Sequence, residues 1–131
     1  MRFLKNLSLT VLVIGYAFAG INHFKNPASY YHIIPHYLPC PVLLNTLAGI
    51  FEIGFAILLI PLKTRRWAVY GIILMLIAFL PVHITMAGNA PLKLGNLTVT
   101  PFIAWLRLAL QPVLIIWIWW HRKPYITTTV N

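Results

Sequence analysis

Residues 41–60, PVLLNTLAGIFEIGFAILLI, run for twenty positions with no basic side chain and one acidic one, Glu52. A helix needs about 20 predominantly apolar residues to cross a hydrocarbon core of about 30 Å. This stretch has that length, and it opens on a proline, a residue favoured at the first helical position. Three further stretches fit or nearly fit the same ruler: Leu7–His23, Arg66–Ala87 and Pro101–Trp120. With Pro41–Ile60 they predict an all-α integral membrane four-helix bundle that takes up residues 1–131 as one domain. The composition agrees. Hydrophobic residues make up 60% of the 131-residue chain and charged ones 8%, whereas a soluble domain keeps about a quarter of its residues charged.

The formal charge of +9 does not point to nucleic acid, because the basic residues stand in small groups between apolar runs rather than in a stripe. Arg2, Lys5, Lys63, Arg65, Arg66, Arg122 and Lys123 flank one set of span ends, whereas Lys25 and Lys93 alone occupy the other. By the positive-inside rule both termini are cytoplasmic. Trp117, Trp119, Trp120 and Tyr125 then mark the inner interface. The expected setting is a bacterial cytoplasmic (inner) membrane, multi-pass, with the lipid bilayer as the main partner. The start of the chain also reads like a signal peptide, with Arg2 and Lys5 before an apolar run and Ala17-Phe18-Ala19 as a cleavage site. Apolar character that continues through Gly20-Ile21 favours a retained span.

Asn26-Pro27 and Cys40-Pro41 repeat the Thr100-Pro101 start signal. The first of these opens a short segment, Ala28–Ile34, expected as an interfacial helix after the first span, with Tyr30, Tyr31 and Tyr37 at the headgroup boundary. Small residues predict close helix seams: Gly15 and Ala19 beside Asn22 and His23, and Ala48, Gly49 and Ala56 around Glu52. Pro81 and Pro112 are expected to kink the third and fourth spans.

A buried carboxylate costs at least a few kcal/mol on insertion scales, so Glu52 should face the bundle interior with a partner. Arg107 in the fourth span is the partner expected, with Gln111 one turn on along the same face. At about 1.5 Å per residue, Glu52 and Gln111 lie near the midplane, Arg107 about 6 Å outward, and His23 and His83 about 10 Å outward. Together with Asn22 they predict one polar pocket that opens outward. The same residues also suit a packing device without chemistry, with Gln111 as interhelical glue. His23 and His83 lie at similar depth, as two haem ligands would, but no other haem signature accompanies them. His32, His36 and Cys40 recur at spacings of four, but Pro35 and Pro39 break the helix that would align them, so no metal site is expected. The single cysteine excludes an intrachain disulfide. No HExxH, P-loop, GxGxxG or nucleophile elbow occurs.

At these residues the chain resembles the DoxX family of small four-helix bacterial membrane proteins. The resemblance rests on Gly20-Ile21-Asn22-His23-Phe24, Leu47-Ala48-Gly49-Ile50-Phe51-Glu52, Arg65-Arg66, Ala78-Phe79-Leu80-Pro81-Val82-His83-Ile84 and Trp105-Leu106-Arg107-Leu108-Ala109-Leu110-Gln111. It implies a single bundle and a role like that of relatives in quinone-linked or other membrane redox systems. The expected function is a quinone-interacting or accessory subunit. Arg107 and Gln111 would donate to a carbonyl, Glu52 and His83 would exchange protons, and His23 and Asn22 would line the mouth. Partners would be other redox subunits or further copies of the chain. A transporter or lipid-binding protein, and an assembly factor, are the other classes the residues admit.

Overall fold

The computed structural model describes residues 1–123; Tyr125 lies outside them. The elements in order are α1 (Arg2–Lys25), α2 (Pro27–Tyr31), α3 (Pro41–Leu58), α4 (Leu62–Ala78), α5 (Leu80–Asn89), β1 (Leu92–Leu94), β2 (Leu97–Val99) and α6 (Pro101–Trp120). Four helices are long and apolar enough to cross a membrane: α1, α3, the α4–α5 pair and α6. Mean hydropathy in their apolar windows runs from 1.6 to 2.2.

The helices begin and end for local reasons. Thr100 caps α6 by accepting from the Ile103 amide at 3.3 Å, and Pro101 follows at the position where a missing N–H costs nothing. Asn26 and Cys40, expected as similar caps, make no side-chain cap bond. The Asn26 amide instead donates to Asn22, and Cys40 turns the chain into α3 with a left-handed φ of 53°. α3 stops two residues earlier than its apolar run because Arg65 folds back on it. The Arg65 guanidinium donates to the carbonyls of Leu59 and Ile60 at 2.8 and 2.9 Å, which satisfies helix-end acceptors that lack a partner in the helix. α1 extends beyond its apolar run at both ends, since Lys and Arg are good helix formers whether or not lipid surrounds them.

Pro81 does break the third span. α4 ends at Ala78 and α5 starts at Leu80, with Phe79 between them and the His83 amide bonding back to its carbonyl at 3.2 Å. Pro112, by contrast, lies inside an unbroken α6. The short helix after the first span forms as α2, over Pro27–Tyr31.

α1 packs chiefly on α3, α3 on α4, and both α4 and α5 on α6. The α1–α3 seam is closest at Gly20 and Gly49. A Cβ on Gly20 would lie 2.9 Å from the Gly49 carbonyl, and one on Gly49 would lie 2.8 Å from the Phe24 ring. Helices in lipid gain most where small residues let backbones approach, and Gly20 serves that purpose. Gly15, expected in the seam, is exposed and has no atoms within 4 Å of such a Cβ; it sits over a turn away, on the far side of α1.

Leu12, Leu59, Ala68, Val69, Ile72, Leu76 and Ile118 form a packed core towards one end of the bundle. The ring of helices closes there through Ser8. The Trp117 indole donates to Ser8 Oγ at 2.7 Å, and Ser8 lies 3.0 Å from His121 Nε2. Ser8 Oγ accepts from the indole and keeps both a proton and a second lone pair for His121, so it bridges the two rings.

The segment between α5 and α6 is an antiparallel hairpin that pairs Leu92 with Val99 and Leu94 with Leu97. Gly95 takes the φ of +61° that its two-residue turn demands. Val99 anchors the hairpin in a second cluster with Ile33, Met86, Ala87 and Ala104. This cluster lies at the other end of the bundle, beside the polar residues.

Candidate functional site

One face of α3 carries Asn45, Ala48, Gly49, Glu52 and Ala56, all buried. Steps of three and four residues keep them on one side of a helix, and that side meets α1. The consequence is that Glu52 finds His23 rather than Arg107. His23 Nε2 lies 3.3 Å from Glu52 Oε2, and no ion pair joins Glu52 to Arg107 among the described residues. The expected Glu52–Arg107 pair is thus replaced because α3 packs chiefly against α1, whereas Arg107 belongs to α6.

His23 is held from three sides. Its Nδ1 is 2.6 Å from Asn45 Oδ1, and the Asn45 amide donates to the His23 carbonyl at 3.0 Å. A carbonyl can only accept, so the amide orientation is fixed and Oδ1 must face the ring. Nδ1 therefore carries a proton. Tyr30 from α2 stacks on the same ring, with centroids 3.9 Å apart, and the Asn22 amide holds the Tyr30 hydroxyl at 2.7 Å.

This geometry sets the protonation of the pair. With the Nδ1 proton donated to Asn45 Oδ1, the Nε2–Oε2 contact is attractive only when one more proton lies on either the imidazole or the carboxyl. His23 and Glu52 thus form a pair whose contact one shared proton would make attractive.

His23 and Glu52 form part of the wall of a cavity of about 230 Å³. Ala19, Tyr30, Asn45 and Ala48 continue that wall, and His83 and Arg107 face in from α5 and α6. The remaining lining is mostly apolar, including Ile33, Ile34, Leu38, Leu44, Phe79 and Val82. His83 Nδ1 is buried without a hydrogen-bond partner, and Glu52 Oε2 has only its 3.3 Å contact with His23. A buried polar atom left so costs about 1–3 kcal/mol, and both are among the side chains that line this space.

Of the residues expected at a pocket, His23, Glu52, His83 and Arg107 line this cavity. Asn22 faces the adjoining vestibule, which Arg107 also lines. Gln111 is buried and its Oε1 has no partner, but it lies outside the lining of either space. Asn45 and Tyr30 were not anticipated as site residues, although Asn45 stands seven residues, two helical turns, before Glu52. Among the described residues, no three His, Cys, Asp or Glu side chains group as metal ligands would.

A family described as a domain of unknown function, DUF8561, matches residues 12–122. The chain belongs to that family. The matched stretch takes in the whole cavity wall, from Ala19 to Arg107. No curated protein and no solved structure matches the chain.

Proposed function

We propose that this DUF8561 protein spans a bacterial inner membrane four times with both termini cytoplasmic, and binds a small apolar molecule with polar oxygens. A quinone is the class that suits the site, and the role is that of a quinone-interacting or accessory subunit of a membrane redox system. The observation that carries this reading is an apolar cavity with a His23–Glu52 pair in its wall and an unpartnered His83 nitrogen facing the same space. Apolar lining with a few converging polar groups is the usual make-up of a small-molecule site. A quinone carbonyl can accept from His83 or Arg107, and the pair can supply or take up a proton as the carbonyl oxygen gains or loses charge. Electrons would come from a partner subunit.

The orientation rests on the basic residues, seven of which flank the span ends remote from the cavity. The resemblance to the DoxX family supports the redox setting.

The test is binding of a short-chain benzoquinone to protein purified in mild detergent, with mass spectrometry of whatever copurifies. Glu52→Gln keeps the shape and removes the acid. The expected result is affinity weakened about tenfold, equal to about 1.4 kcal/mol, with thermal stability unchanged. Equal affinity in the variant would refute a role for the pair.

A further inference from the structure

Glu52 is the one acidic side chain in the sequence, and His23 engages it. Arg107 is left without a carboxylate of its own, and it makes no hydrogen bond or ion pair among the described residues. Its guanidinium stays charged at any physiological pH. It is the seventh residue of α6, about 9 Å along that helix from its start. A charge at such a depth is costly to insert and, where it occurs, marks a ligand or ion path by default.

The position of Arg107 between two spaces indicates what that ligand is. On one side lies the apolar cavity. On the other lies a vestibule of about 490 Å³ with side-chain amides and hydroxyls from Asn22, Asn26, Ser29, Tyr30 and Asn96 in its wall, and no acid. Tyr30, Ile33 and Arg107 line both spaces. The hairpin turn roofs the vestibule: a Cβ on Gly95 would lie 3.6 Å from Ser29 Oγ. Apolar walls thus lead to a lone cation and then to neutral hydrogen-bonding groups.

We propose that the ligand of this site is an amphiphilic anion, with a carboxylate or phosphate head held by Arg107 in the vestibule and its apolar body in the cavity. The planar guanidinium fork matches either head group, which it can bind through two parallel hydrogen bonds. The neutral amides and hydroxyls around it solvate the remaining head-group oxygens without repelling them. The inference rests on reading the cavity as a ligand site, and it narrows the ligand to one that is ionised at its polar end.

The experiment compares four probes on the purified full chain: decanoate, decyl phosphate, methyl decanoate and a decyl-substituted benzoquinone. Decanoate or decyl phosphate should bind at least about tenfold more tightly than the ester, and whichever binds more tightly identifies the head group. Arg107→Gln should abolish that preference by weakening the anion far more than the ester, whereas Arg107→Lys should keep most of it. An ester that binds as well as the acid, or a preference that survives Arg107→Gln, overturns the proposal. Should the glutamine variant not fold, the acid–ester comparison on the unaltered chain and the lysine variant still decide it. Quinone binding without anion binding defeats this proposal and leaves the quinone reading standing. Anion binding through Arg107 without quinone binding does the reverse. If no probe binds, both fall.

Discussion

Two buried histidines occupy opposite ends of the bundle, and they are kept in different ways. His121 is 1% exposed and sits in a finished hydrogen-bond chain, Trp117 to Ser8 to imidazole, above a core of close-packed Leu, Ile, Val and Ala. His23, about 22 Å away as measured along α1 from Ser8, sits in an unfinished one. It faces Glu52 at 3.3 Å beside a cavity, and the neighbouring His83 nitrogen has no bonding partner. The same helices build both ends. The difference separates two kinds of polar burial: a closed network ties helices together, and an open one leaves bonding capacity unspent.

Packing gives the largest test of that contrast. Ile72, fully buried in the core at the His121 end, should cost about 2–4 kcal/mol when cut to alanine, the range for an unfilled core cavity. Val82→Ala at the cavity wall should cost under about 1 kcal/mol, because space already adjoins it. Unfolding in mixed detergent measures both, and equal losses would erase the distinction between the two ends. Next in size is Ser8→Ala, which strands the Trp117 indole N–H and His121 Nε2 together. A loss of about 1–3 kcal/mol is expected, with ligand binding at the far end untouched.

A further effect is one of pH. Burial, then the nearby Lys5 and Arg65 charges, push the His121 pKa down to about 4. A base with a folded pKa below its unfolded value near 6.5 stabilises the fold only while neutral. That contribution is complete above about pH 6.5 and disappears as pH falls towards about 4. His121→Gln should therefore flatten part of the stability loss between about pH 7.5 and about pH 4.5. A variant that loses as much as the parent would show that the acid sensitivity arises elsewhere.

The four spans were legible because apolar length is written locally; the bounds of α6 follow directly from Thr100-Pro101 and the tryptophans. The break at Phe79 was legible from Pro81. Glu52, His23, His83 and Arg107 stood out as ionisable groups in apolar runs, and depth along each helix placed them all between the midplane and one end of the bundle. Rotation about each helix was harder to read. Whether Glu52 faces α1 or α6 depends on which helix α3 packs against, and the seam at Gly20 and Gly49 decides that. Asn45 escaped notice because an amide near a helix start looks like a surface residue, and Tyr30 because a tyrosine at an interface looks like an anchor. The hairpin had left a signal, Gly95-Asn96 between the alternating triplets Leu92-Lys93-Leu94 and Leu97-Thr98-Val99.

The interruption at Phe79 splits a single crossing into two separately adjustable parts. α4 supplies Ala68, Val69, Ile72 and Leu76 to the core at the His121 end, while α5 carries Val82 and His83 into the cavity wall. Substitutions at Val82 and His83 would alter the cavity wall while leaving the core residues of α4 in place. Related chains are expected to diverge most in α5 and least in α4, and comparing their recognition segments would show how a bundle this small acquires new ligands.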